Sequence, residues 1–315
     1  MNTYLIPTTE SYTHNYIYLT TIYANSPLQA KMMAQTLYED RIIQETINYE
    51  HYNEELILPK LFPISEKDDI MSLAFKKSKE YKHMAFFNVN WNNYTEQISK
   101  IAASEDWSNI TYPNNGILAN YMVKTYNKLQ SERNIIFAQD YALFNTGLFT
   151  KYHEPIYAYH SGTDILFLTD YELGSKGISE RPNRANYFSK PELLLFDWHY
   201  PINVHYSHIL EDTENKKRIP KDVLESDNII NILNGAIDTM KKKVSANYKL
   251  AIPQYFDGKI QLLLPLCLQS SSKPDLALVV TKVDNFYQGH TCLTLDMAYN
   301  NARLITKPES NWLSI

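Results

Sequence analysis

An Asp-Gly pair set between two apolar runs constrains this chain more than any other feature. Ala251 through Leu268 reads AIPQYFDGKIQLLLPLCL. Asp-Gly suits a two-residue hairpin turn because both central positions need positive φ. A turn at Asp257-Gly258 predicts that Phe256 opposes Lys259, Tyr255 opposes Ile260 and Gln254 opposes Gln261. The glutamine face then also carries Leu250, Ile252 and Leu263. The other face carries Ala251, Pro253, Leu262 and Leu264, with Asn247 and Lys249 at its far end. Both faces are largely apolar, which predicts a hairpin covered on each side. Pro253 has no N–H to give to a ladder and so predicts an edge strand or a bulge.

Polar residues inside such strands need a reason, because an unpaired buried polar group costs about 1–3 kcal/mol. Asn247, Lys249, Gln254 and Gln261 form one such set. A second lies in the strand-to-helix segment LTLDMAYNNARLI, Leu293–Ile305. There Asp296 is placed to N-cap a short helix, on which Tyr299, Asn300 and Arg303 share its side while Asn301 turns toward Met297 and Leu304. Amides read base edges or hydroxyls, and Lys and Arg neutralise phosphate. The combined set predicts a nucleotide-like ligand. The bland alternative makes Asp296 a cap, pairs Arg303 with an acid, and bonds the glutamines to each other.

Three other features carry weaker readings. His205-Tyr206-Ser207-His208, followed by Arg218, offers an acid/base in His208 with Arg218 holding phosphate. Read as a strand, it sends His205 and His208 to opposite faces, and with no completing cysteine or carboxylate pair no metal site is expected. Lys241-Lys242-Lys243 ends a helix, where cations are favoured by the dipole alone. Asn145-Thr146-Gly147 inside an apolar strand reads as a bulge or a close backbone approach. The chain has no phosphate-binding GxxxxGK[ST] loop, GxGxxG, GxSxG, HExxH or CxxC, and no cofactor is expected.

The broader pattern predicts an α+β fold. An N-terminal helical region, residues 1–100, is expected to pack on a mainly antiparallel sheet domain with short helices, residues 101–315. Helices are expected from Ser26-Pro27 to about Leu56, over Ser65–His83, Thr95–Ser104, Gly116–Arg133 and Asp222–Ala246, with Phe86–Trp91 a short strand. Strands are expected on both sides of His153-Glu154, over DILFLTDYEL (164–173) and over ELLLFDWHYPINVHYSHIL (192–210), with a loop over Gly174–Asn186. The net charge of −5 gives no global attraction to nucleic acid or an anionic membrane. Two cysteines in apolar runs, no leader-like N-terminus and no long apolar run predict a cytoplasmic protein without a membrane partner.

Several elements taken in order resemble a known family. They are NTGL (145–148), His208-Ile209-Leu210, Arg218-Ile219-Pro220, NYKLAIPQY (247–255), IQLLLPLCL (260–268), DLALVV (275–280) and LTLDMAYNNARLI, followed by Lys307 to Leu313. They are similar to an uncharacterised prokaryotic domain family found alone or beside LOTUS-type (OST-HTH) and cold-shock RNA-binding domains, over roughly Ile101 to Leu313. The resemblance brings no activity. It implies an RNA-related setting, and it places the family pattern on Asn145, Gly147, His208, Arg218, Asn247, Lys249, Gln254, Gln261, Asp296, Asn301 and Arg303. Three functions are therefore expected as alternatives. The first is binding of RNA or a small nucleotide by Asn145, Asn247, Lys249, Gln254, Gln261, Asp296, Asn301 and Arg303. The second is phosphodiester or nucleotide processing by His208 with Arg218, Lys249 and Arg303. The third is an assembly subunit that forms a homo-oligomer through the N-terminal helices.

Overall fold

The computed structural model describes residues 2–10, 15–49, 60–87, 90–138, 141–161 and 164–313. The chain forms two compact units, one built mainly from residues 1–89 and the other from 90–136, 143–159 and 166–315.

The first unit begins with strands, which corrects the expectation of a helical N-terminus. Strands β1 (Asn2–Glu10) and β2 (Tyr16–Ala24) form an antiparallel pair, followed by helix α1 (Pro27–Leu37), β3 (Arg41–Ile43), β4 (Ile47–Tyr49), β5 (Lys60–Pro63) and α2 (Ile70–Phe87). The sheet order is β3-β1-β2-β5, with β4 also pairing β1. Alternate residues of β1 and β2 serve two cores. Tyr4, Ile6, Ile22 and Ala24 pack with Ala30 and Ala34 of α1, while Leu5, Ile17 and Leu19 pack with Ala74 of α2. Because both faces of the strands are buried, their sequence shows no polar alternation to read. Ser26 caps α1 through the Gln29 N–H, as expected, but the helix ends at Leu37 rather than near Leu56. Residues 50–59 lie outside the described ones. Phe86 and Phe87 end α2 and Trp91 starts a 3-10 turn, so the described residues of that run form no strand; residues 88–89 are not described.

Next along the chain come α3 (Thr95–Ile101) and α4 (Gly116–Glu132), followed by β6 (Ile136–Phe137), β7 (Ala142–Phe149), β8 (Pro155–Ser161) and β9 (Asp164–Leu168) in one four-stranded sheet. The run 164–173 is only half strand. After Leu168 a Thr169–Glu172 capping box starts α5 (Asp170–Ser175). The run 192–210 is also less extended than expected. It holds a 3-10 turn, the short β10 (Ile202–Val204) after Pro201, and α6 (Tyr206–Glu211). Next come α7 (Thr213–Lys216), α8 (Lys221–Leu224) and α9 (Ile229–Ala246). A second sheet then forms from β11 (Ile252–Phe256), β12 (Lys259–Leu266), β13 (Leu276–Val283) and β14 (Phe286–Leu293), closed by α10 (Leu295–Ala302).

This five-stranded sheet has the order β10-β14-β13-β12-β11, antiparallel except for the parallel β10–β14 pair. The hairpin register matches the arithmetic residue for residue. Asp257 and Gly258 have φ of 47° and 76°, the double positive that such a turn needs. Pro253 lies on the edge strand β11. One face of the sheet is apolar. Leu262, Leu264, Leu276, Leu278, Val280 and Tyr287 pack there on Ala236, Ile237, Met240 and Val244 of α9. Each such side chain contributes about 1.5–3 kcal/mol by leaving water. The opposite face is not sealed in the same way; it floors a cavity. Among the described residues no helix is long and apolar enough to cross a membrane.

Candidate functional site

The cavity over the second sheet has a volume of about 1180 Å³. Its floor comes from same-side residues of four strands: Gln254, Lys259, Gln261, Val279, Thr281, Gln288 and His290. Its walls come from α4 (Asn120, Lys124, Asn127, Lys128), from the α6–α7 region (His208, Asp212, Asn215, Arg218) and from α10 (Met297, Asn300, Asn301, Leu304).

A chain of side-chain hydrogen bonds crosses this floor. Asn301 Nδ2 donates to Gln254 Oε1 at 3.1 Å, Gln254 Nε2 to Gln261 Oε1 at 2.9 Å, and Gln261 Nε2 to Thr281 Oγ1 at 3.1 Å. Thr281 Oγ1 lies 3.0 Å from His290 Nε2. Since the Thr281 hydroxyl accepts from Gln261, its own proton is available to a neutral His290 ring. The relay satisfies Gln254, which is 1 % exposed, and fixes the orientation of each member. Burial, followed by the charges of Lys259, His208 and His205, lowers the His290 pKa and favours that neutral ring.

His290 reaches the floor through a bulge. Between β13 and β14 the register steps from Val279↔Thr291 to Val280↔Gly289, so His290 is the extra residue. A bulge re-aims side chains, and here both His290 and Thr291 line the cavity. The neighbouring Gly289 lies close to β10, where an added Cβ would sit 3.3 Å from Val204 Cγ2.

A second network supports Arg218. Its Nη1 donates to Asn215 Oδ1 at 3.0 Å, to Cys292 O at 3.0 Å and to Thr291 Oγ1 at 3.4 Å. Asn215 Nδ2 donates to His208 O at 3.0 Å, and Asp212 Oδ1 accepts from the Asn215 N–H. That N–H is the main reason the Asp212 carboxyl titrates below its ordinary range. His205 and His208 do not diverge as a strand would require. They lie at the start of α6 and stack with ring centroids 5.8 Å apart. Among the described residues, no group of three or more His, Cys, Asp or Glu is arranged to hold a metal ion.

Of the predicted set, the structure brings Gln254, Gln261, Asn301, His208 and Arg218 to the cavity wall. The other five lie elsewhere. Asn247 and Lys249 are exposed at the end of α9, where Asn247 Oδ1 accepts from the Lys249 N–H at 3.2 Å. Asn145 on β7 accepts from the Gly147 N–H at 2.9 Å and donates to Pro182 O at 3.3 Å. Asp296 is not the cap of α10; Thr294 is, accepting from the Met297 N–H at 3.3 Å. Asp296 instead accepts from Thr111 Oγ1 at 2.8 Å and from its N–H at 3.1 Å. Arg303 is 9 % exposed and pairs with Glu105 beneath Trp107 and Tyr121, with its guanidinium carbon 4.7 and 4.9 Å from the ring centroids. The single helix side expected for Asp296, Asn300 and Arg303 therefore divides. Asn300 lines the cavity while Arg303 is bound in the core.

Asn300, part of the polar helix set read from the sequence, does line the cavity, whereas Asn215, Thr281, His290 and the α4 lysines were not foreseen as site residues. Extending the hairpin register one strand further would have pointed to Thr281, which stands opposite Gln261. The bulge that delivers His290 has no local signature, and Lys124 and Lys128 enter from a distant helix. Asn300 is 4 % exposed, lines the cavity, and has no hydrogen-bond partner for Oδ1 among the described residues. Phe256 is 54 % exposed at the rim, and Lys259 beside it is exposed.

The model of a family described as Domain of unknown function (DUF3825) matches residues 98–312. No curated protein and no solved structure matches the chain.

Proposed function

The chain belongs to the DUF3825 family, and we propose that its second unit binds a nucleotide or single-stranded RNA in the cavity over the polar sheet face. The observation that carries this reading is the amide-rich floor, with Asn300 Oδ1 buried beside it and without a partner among the described residues. A buried acceptor left unpaired costs about 1–3 kcal/mol, which a ligand N–H or O–H recovers. Gln261, Asn300 and Asn301 read base or ribose edges, and the exposed Phe256 offers a stacking surface. Lys124 and Lys259, which have no acidic partner among the described residues, neutralise phosphate in place of Lys249 and Arg303. The resemblance to domains found beside LOTUS and cold-shock modules points the same way. Purified protein should be denatured and the released material identified by absorbance and mass spectrometry. Nucleotide or short RNA at near-equimolar amount is the expected result. Ligand-free protein that also fails to bind added nucleotides and short RNA would refute it.

One observation favours a second reading, in which the bound phosphodiester is cleaved. His208 and His290 line the same cavity as Arg218, and His290 is held toward its neutral, proton-accepting form. Turnover of end-labelled RNA that is lost in both His208→Ala and His290→Ala would support this reading. An inert wild type would remove it.

A further inference from the structure

A second, smaller cavity of about 300 Å³ meets the first at the β11–β12 turn. The two share Lys128, Tyr255, Gly258, Lys259 and Thr281, but the smaller one reaches the other side of the sheet edge, where Ile260 and Lys282 project. Among the described residues four lysines line it, Lys128, Lys190, Lys259 and Lys282, and no carboxylate does. Lys128 is balanced by Glu132 at 2.8 Å. The other three have no ion-pair partner among the described residues; Lys282 Nζ instead lies 4.8 Å from the centre of the Tyr200 ring. Tyr255, edge-on to Tyr187 with centroids 5.0 Å apart, gives the lysines an aromatic wall.

This arrangement suits a chain of phosphates better than a single nucleotide. The large cavity already exceeds the roughly 300–1,000 Å³ of an ordinary small-molecule pocket. Lysines without an ion pair among the described residues, although the charge of Lys282 is felt at Asp197, continue from it, past the turn, to a place that a mononucleotide bound over the polar floor does not fill. We infer that the ligand is a single-stranded nucleic acid several nucleotides long, which runs from the polar floor over the Asp257-Gly258 turn and sets a further phosphate among Lys190, Lys259 and Lys282. The inference rests on the reading of the large cavity as a nucleotide site and adds the ligand's length and path.

The test compares the four nucleoside monophosphates, by calorimetry, with random-sequence RNA and DNA pentamers, by fluorescence anisotropy. Wild type is measured beside the Lys190→Ala/Lys282→Ala double variant, whose changes fall outside the large cavity. A pentamer should bind at least about tenfold tighter than any mononucleotide, with a steeper salt dependence from the extra phosphate contacts. The double variant should lose most of that advantage and keep mononucleotide affinity. Preference for the RNA pentamer assigns the strand to RNA, and equal binding assigns it to either single strand; both support the path. Mononucleotides that match the pentamers, or a double variant that binds pentamers like wild type, would overturn the path while leaving the nucleotide site intact. Failure of every probe to bind would overturn both.

Discussion

Arg303 Nε and Nη2 grip Glu105 Oε1 and Oε2 at 2.5 and 2.9 Å, joining residues 198 positions apart in the chain. Both side chains are about nine-tenths buried. Burial works against the arginine's charge, but the hydrogen bond and charge of Glu105 outweigh it and raise the pKa. Removing one partner leaves a buried charge unpaired. Arg303→Ala should therefore destabilise the second unit by about 3–5 kcal/mol, read as a lower urea midpoint. The charge-removing pair Arg303→Met with Glu105→Gln should be milder than the single change. A stable Arg303→Ala would show that the pair holds nothing together.

Gly147 sits at φ 75°, and a Cβ there would lie 2.5 Å from Tyr121 Oη. That hydroxyl is buried and donates to Thr146 O at 2.9 Å, so it has little room to retreat. Gly147→Ala should cost more than about 1 kcal/mol, from backbone strain and contact together. Thermal melting checks this, and the Tyr121→Phe background should relieve part of the loss.

Lys259 is exposed at the turn and shared by both cavities. Lys259→Ala should leave the melting temperature unchanged and weaken RNA binding. It should also flatten the slope of log affinity against log salt by about 0.7, the value for one phosphate contact on a single strand. Anisotropy titrations at several salt concentrations measure both effects.

His290 couples stability to pH. Its folded pKa is lowered, first by burial and then by Lys259, His208 and His205, so the unfolded chain binds the proton more readily. Its contribution is full above the unfolded value near 6.5 and is lost as pH falls through the folded value. His290→Gln should reduce the fall in melting temperature between about pH 7 and pH 5. An unchanged profile would assign that fall to other groups.

The two thiols should differ in reactivity. Cys292 is 1 % exposed, and burial pushes its pKa up to about 12, whereas Cys267 is half-buried and 3.7 Å from Lys243 Nζ. In native protein one thiol should react with a maleimide, and Cys267→Ser should abolish that fast phase.

Much of the second unit is legible in the chain because its signals are short-range. The Asp257-Gly258 turn sets the β11–β12 register through backbone φ alone, and with it the Gln254–Gln261 pair. The apolar periods of α4 and α9 likewise show which faces turn inward. The first unit is less legible. Strands β1 and β2 bury both faces between α1 and α2, so they lack the alternation that separates strand from helix.

By itself, then, the sequence determined the hairpin, its glutamine pair and the helices whose faces repeat locally. Only the tertiary structure decided which polar side chains meet. It sent Arg303 to Glu105 and Asp296 to Thr111, it left Asn247 and Lys249 outside the cavity, and it drew Thr281, His290 and Asn300 in. The reason is one of range. Turn chemistry and periodicity act over a few residues, whereas a charged or amide side chain takes the partner that packing of distant elements places within about 3 Å.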